Sequence, residues 1–279
     1  MQWEGQEEST NVEDRRGDHA GIAIAGGGGL LLALLALFFG VNVNDFNKDG
    51  GRPAQVESRD PQEEKLAHFA KVILRDTEVV WEDLFRQMGK EYRKPHLVLF
   101  SGSVDSKCGR AGASVGPFYC PGDSNVYLDL SFFREMQEKL HAPGDFARAY
   151  VIAHEVGHHV QKLLGYSQRV EEARRYQSKV EANRMSVRLE LQADFLAGVW
   201  AHHAQERFHF LDKGDVESAL NAAFQIGDDR LQKQARGYVV PDSFTHGTSR
   251  QRMRWFQEGF KTGDVSRARL VFDLPYNEL

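Results

Sequence analysis

The stretch AYVIAHEVGHHVQKLLG, Ala149 to Gly165, carries three histidines within six residues and a glutamate directly after the first. His154 and His158 are four apart, so on a helix their rings share one face a turn apart and can reach one ion. Glu155 sits one step round, placed to hold a water beside that ion. This is the H-E-x-x-H spacing, whose chemistry is two zinc ligands and a general base. A catalytic zinc site takes a third protein ligand and leaves a fourth position open. The longer motif with Gly at 161 and His at 164 is absent, since those positions are Gln161 and Leu164. Further on, RLELQADFLAGVW places Glu190 and Asp194 four apart on one helix face. Glu190 can be the third ligand, with Asp194 accepting the outer N–H of a ligating histidine. The reverse order, Asp194 on the metal and Glu190 behind it, remains the alternative. His159 points away from the other two and reads as a supporting or surface residue.

These side chains need helices to carry them. Asp145 can cap a helix from Phe146 to Leu164, and Gly165 is a fitting stop. A long helical stretch is expected from Val170 to Gln205, where the small residues Ala193, Ala197 and Gly198 would allow close packing against the first helix. Upstream, Asp60-Pro61 opens an amphipathic helix that ends before Pro95. HLVLFS, GPFYC and VYLDL read as strands, the last two joined by the turn PGDSN. Ser131 can cap a short helix. Further helices are expected at Asp215–Ile226, Asp229–Ala235 and Thr248–Lys261. The order of elements, a helix, a few strands and then mostly helices, predicts an α+β body.

The chain has 279 residues, 41% of them hydrophobic and 27% charged, with a net charge of −5. That balance fits a folded body and gives no electrostatic footprint for nucleic acid. Residues 1–20 are polar and mixed in charge, and are expected to be disordered. Residues 21–43, with IAIAGGGGLLLALLALFFGV, form an apolar run long enough for a transmembrane anchor. Residues 44–60 read as a linker, and residues 61–279 as the body. Arg15 and Arg16 before the run nearly balance Lys48 and Arg52 after it. Cys108 and Cys120 are the two cysteines. Either they form one bridge, which would persist in an oxidising compartment, or they are two thiols facing the cytoplasm. The bridge favours a single-pass protein of the inner membrane with its body on the periplasmic side.

The combination of His154-Glu155-x-x-His158 with Glu190-x-x-x-Asp194 resembles the gluzincin metallopeptidases. More narrowly, CGRAGASVGPFYCPGDSNVYLDLSFF, AHEVGHHVQ, ELQADFLAG and FTHGTSRQRMRWFQEGF resemble a bacterial family of membrane-anchored neutral zinc metallopeptidases. The resemblance implies a zincin-like fold with a small sheet and a mostly helical remainder after one N-terminal transmembrane helix. It also implies Zn2+ as cofactor and a peptide or protein substrate. In that fold an edge strand above the metal pairs with the substrate backbone, and GPFYC or VYLDL could be that strand. By similarity to membrane-embedded CAAX-processing gluzincins, His246 would donate to the oxyanion and Arg252 would support it, although Gly247 stands where those proteins have proline. Tyr166, Tyr238 and His203 are further candidates for that task. The expected activity is peptide hydrolysis with Glu155 as general base. The alternative is a zinc-stabilised, catalytically inactive binding or scaffold protein tethered to the membrane.

Overall fold

The computed structural model describes residues 1–17 and 60–279. Helix α1, Pro61–Gln87, begins where Asp60 accepts the Gln62 backbone N–H, with Pro61 in the first turn. Its inner face buries Phe69, Ile73, Trp81 and Phe85. Among the described residues the main sheet has four strands: β1 Val12–Asp14, β2 His96–Phe100, β5 Phe118–Cys120 and β6 Asn125–Asp129. Their order is β1-β2-β6-β5, with β1 and β6 parallel to β2, and β5 antiparallel to β6. Among the described residues GPFYC therefore contributes one edge strand, β1 being the other, and VYLDL lies inside the sheet. Between β2 and β5, where the sequence reads as a Gly- and Ser-rich loop, the chain forms a hairpin of β3 Ser103–Ser106 and β4 Gly109–Gly112. The Cys108–Cys120 disulfide fastens this hairpin to the end of β5.

After β6 come α2 Ser131–Glu138, α3 Asp145–Leu164, α4 Tyr166–Tyr176 and α5 Lys179–Phe208. Then follow α6 Asp215–Gln225, α7 Asp228–Arg236 and α8 Ser249–Thr262. The helical stretch expected from Val170 is divided into α4 and α5. Gln177 is extended between them, and Ser178 caps α5 by accepting the Glu181 N–H. In the larger of two hydrophobic clusters α3 is flanked by α1, α5 and the sheet, and a smaller one gathers Val98, Phe100, Val104, Cys120 and Tyr127.

Two close crossings hold the helices. A Cβ on Gly157 of α3 would lie 3.0 Å from the Ala193 carbonyl oxygen of α5. A Cβ on Gly198 would lie 2.1 Å from the Phe256 oxygen of α8. Of the small residues expected to meet the first helix, Ala193 does so, whereas Gly198 serves α8.

The first residues correct one expectation. Rather than forming a disordered tail, they pack on the body. Trp3 is 4% exposed and donates its indole N–H to Asp145 at 3.0 Å. Ser9 and Asn11 donate to the buried Glu78 carboxylate, both at 2.7 Å, and β1 joins the sheet. Burial of Trp3 and satisfaction of Glu78 offset the cost of ordering a polar segment. A tail in the cytoplasm and a body in the periplasm would lie on opposite faces of a bilayer, whereas the strand pairing puts them in direct contact. The expected anchor, residues 21–43, and the linker up to residue 59 lie outside the described residues. Among the described residues no helix is long and apolar enough to cross a membrane.

Candidate metal centre

The crossing at Gly157 and Ala193 brings the two motifs together. His154 and His158 stack edge to face with ring centroids 4.8 Å apart. His154 Nε2 is 3.3 Å from Glu190 Oε2, and His158 Nε2 is 3.5 Å from Glu190 Oε1. Two donors each about 2.1 Å from one tetrahedral ion are about 3.4 Å apart, so these spacings suit a zinc-sized ion.

The outer nitrogens are held by hydrogen bonds that leave both Nε2 atoms available. His154 Nδ1 donates to Asp194 Oδ1 at 2.8 Å. Asp194 is fully buried, and its other contacts are the Tyr150 hydroxyl and two nitrogens of Arg252. His158 Nδ1 donates to Gln161 Oε1 at 2.8 Å. The Gln161 amide is oriented in turn, since its Nε2 donates to the Leu189 carbonyl and to Gln192 Oε1. Gln192 donates onward to the Ala268 carbonyl. Such outer hydrogen bonds fix the tautomer and the ring plane of a ligating histidine.

The electrostatics follow from this crowding. Burial would lower the His154 imidazole, but the Asp194 and Glu190 carboxylates outweigh it and raise its pKa. Burial would raise Glu190, but the His158 and His246 rings hold it well below the usual carboxylate range. Glu155 shifts the other way. Burial raises it, with the two imidazoles opposing. A carboxylate whose affinity for a proton is raised is better suited to accept one in general base catalysis.

His154, Glu155, His158 and Glu190 line one cleft of about 290 Å³. Its other walls are largely apolar, including Val115, Phe118, Phe132, Leu140, Ile226 and Leu231. Edge strand β5 forms one rim and is tied to α3 at two points. The Tyr119 hydroxyl and the Arg93 carbonyl occupy the two nitrogens of His159, at 3.0 and 2.5 Å. Because the carbonyl can only accept, His159 Nε2 donates to it and Nδ1 accepts from Tyr119. Burial depresses His159 to about 4, so it is a neutral strut. Lys162 donates to Pro121 O and Ser124 Oγ in the turn after β5.

His246 also lines the cleft, beside Arg252. Its loop is gathered by the buried carboxylate of Asp228, whose Oδ2 accepts the backbone N–H of Thr245, His246 and Gly247 at 2.7, 2.7 and 3.1 Å. Asp228 Oδ1 lies 3.2 Å from His246 Nδ1. Similarity to CAAX-processing gluzincins implies that Arg252 supports His246 at an oxyanion. In the structure its guanidinium is instead committed to Asp194, at 2.8 and 2.9 Å. Tyr166, Tyr238 and His203 do not line the cleft.

Three supporting residues lie outside the set that the sequence motifs predict. Tyr150 lies one turn before His154 and Gln161 three residues after His158, so helical periodicity held a signal for both. Asp228 carried none, because its partners lie 17 to 19 residues away across a loop.

A buried and a half-buried imidazole with both Nε2 atoms facing one carboxylate, on a cleft rimmed by edge strand β5, define a candidate metal centre of an α+β protein. The whole sequence agrees with that class. The family model described as "Putative neutral zinc metallopeptidase" matches residues 1–269, and the chain belongs to this family. It is 49% identical over 282 residues to "Uncharacterized protein YpfJ" of Escherichia coli strain K12, covering 96% of this chain and 97% of that protein. It is 43% identical over 197 residues to "Uncharacterized protein Rv2575" of Mycobacterium tuberculosis, covering 67% of this chain and 64% of that one. No solved structure gives a significant match.

Proposed function

We propose that the chain is a zinc-dependent peptidase of the gluzincin type with a zincin-like fold. The observation that carries this reading is the convergence of His154 Nε2 and His158 Nε2 on the Glu190 carboxylate, with Glu155 beside them in the cleft. His154, His158 and Glu190 would hold the ion, and the mixed nitrogen and oxygen donor set fits zinc. When bound, zinc supplies a Lewis acid that polarises a peptide carbonyl and eases deprotonation of water.

The chain's own groups do the rest. Glu155 takes a proton from a water in the cleft as the new C–O bond forms. It returns that proton to the amine as the C–N bond breaks, so the carboxylate base is regenerated. His246, oriented by Asp228, donates a hydrogen bond to the charge that develops on the carbonyl oxygen. Arg252 acts at one remove, by fixing Asp194 and through it His154. An extended substrate would add to the open edge of β5, with an apolar side chain in the cleft. The Cys108–Cys120 bridge supports an oxidising compartment outside the cytoplasm for the body, with the N-terminal strand on the same side.

The test measures zinc content and cleavage of a peptide library together, for the wild type and Glu155→Gln. The variant should keep its zinc and lose turnover. Full activity in Glu155→Gln would remove the proposed base. A wild type that holds zinc but cleaves nothing would favour the scaffold reading.

A further inference from the structure

At the far end of α5 the chain reads His202-His203-x-x-Glu206. These residues begin twelve positions after Glu190, roughly 18 Å along the helix axis, so they are separate from the cleft. His202 Nδ1 lies 2.8 Å from the Phe260 carbonyl, and His203 Nε2 lies 2.9 Å from the Gly263 carbonyl. Both carbonyls belong to the C-terminal end of α8 and its Gly263 cap. A carbonyl only accepts, so each contact fixes a proton on the nitrogen that faces it. The other nitrogens, His202 Nε2 and His203 Nδ1, then face the two oxygens of Glu206 at 3.4 and 3.3 Å.

With neutral rings this places lone pairs against a carboxylate, which is unfavourable unless positive charge sits between them. We propose that His202, His203 and Glu206 form a second metal site, taking a divalent transition ion of borderline softness such as Zn2+ or Ni2+. Three features support it. The three donor atoms lie within 4.8 Å of one another. The nitrogen–oxygen spacings match the roughly 3.4 Å expected between two ligands of one tetrahedral ion. Each ring already has the outer hydrogen bond to a carbonyl that metal-binding histidines use to fix their tautomer. The site is open on one side, since the Glu206 side chain is 64% exposed and the histidines are 27% and 29% exposed. Water would complete the shell. An ion here would join the end of α5 to the turn that closes α8, a stabilising tie remote from the reacting groups.

Equilibrium dialysis of the full chain against Zn2+, in buffer cleared of other metals, tests this directly. The variants are Glu206→Gln and His154→Ala. Glu206 is exposed and, among the described residues, its side chain pairs with the two rings alone, so Glu206→Gln preserves the fold. The wild type should bind two ions, and each variant should lose a different one. Glu206→Gln should bind its lost ion at least tenfold more weakly. In the His154→Ala background, Zn2+ should raise the melting temperature, and adding Glu206→Gln should remove that rise. A single ion lost in His154→Ala and retained in Glu206→Gln overturns the proposal, because imidazolium–carboxylate pairs would then account for the geometry. Two ions retained in Glu206→Gln overturns it as well. A single ion lost in Glu206→Gln and retained in His154→Ala supports this site while refuting the cleft assignment.

Discussion

The guanidinium of Arg252 lies in a two-point fork on the carboxylate of Asp194, Nε to Oδ2 at 2.8 Å and Nη2 to Oδ1 at 2.9 Å, and both side chains are buried. Asp194 spends its remaining capacity on Tyr150 and His154, so the fork sets the plane of a ring facing Glu190. The buried carboxylate needs the guanidinium. Desolvation would raise Asp194, and Arg252, followed by His154, pulls it below its ordinary value. Removing one partner of such a pair leaves the other charged in a dry site, at a cost of about 3–5 kcal/mol. Arg252→Gln should therefore lower both the melting temperature and zinc affinity, the latter about 10–100-fold by competition with a chelator. Unchanged affinity in a folded variant would separate the fork from the metal centre.

Gln161 offers a gentler probe of the other histidine. Its Oε1 accepts from His158 and its amide nitrogen bonds α5. Gln161→Leu should weaken zinc binding by about tenfold while leaving the Asp194 network in place. Chelator competition, with circular dichroism as the folding control, would show it. An affinity equal to wild type would mean that the His158 ring is oriented by packing alone.

Asp228 touches neither the metal donors nor Glu155, yet it organises three backbone N–H groups around His246. Asp228→Ala should leave zinc content unchanged and reduce kcat about a hundredfold, as expected when a donor to the developing oxyanion is misplaced. If zinc content fell in parallel with activity, the loop would be supporting the metal donors rather than the oxyanion.

Gly198 is required by the crossing of α5 and α8. A methyl there meets the Phe256 carbonyl oxygen at 2.1 Å and the Phe260 nitrogen at 2.7 Å, both backbone atoms. Gly198→Ala should destabilise the fold by on the order of 3 kcal/mol, read by urea unfolding. A wild-type midpoint would mean that the helices separate without loss.

Asp76 makes stability depend on pH. It is 2% exposed, and its Oδ2 has no hydrogen-bond partner among the described residues. Burial raises its carboxyl to about 7, with Arg75 opposing. The folded state thus holds the proton more tightly than the unfolded chain, whose value is near 3.8. Its contribution is favourable at low pH and is lost as pH rises from about 4 to about 7. Asp76→Asn should be nearly neutral at the bottom of that window. Its advantage should grow across the window, to about 4 kcal/mol at most at pH 8. Denaturation at pH 5 and pH 8 measures the difference, and an equal effect at both values would exclude a buried titrating carboxyl.

Much of the helical framework was legible because its signals are local. Asp60-Pro61 opens α1, Gly165 in the left-handed conformation closes α3, and Thr248 with Gln251 forms a capping box at α8. The β3–β4 hairpin was not legible, since it is short and lacks apolar alternation. The order of the first residues was also hidden. Their composition is that of a solvated tail, and what orders them is a sheet edge and a buried glutamate more than 60 residues away.

The sequence by itself determined that His154, Glu155 and His158 share a helical turn, and that Glu190 and Asp194 share another, because a period of 3.6 residues fixes which side chains neighbour one another along a helix. Only the tertiary structure decided that Glu190 faces the imidazoles while Asp194 stands behind one of them, and that Arg252 serves Asp194 rather than His246. Those choices depend on the rotation and depth at which α3, α5 and α8 cross. Backbone contacts at Gly157 and Gly198, between segments far apart in the chain, set that geometry, and no local pattern records it.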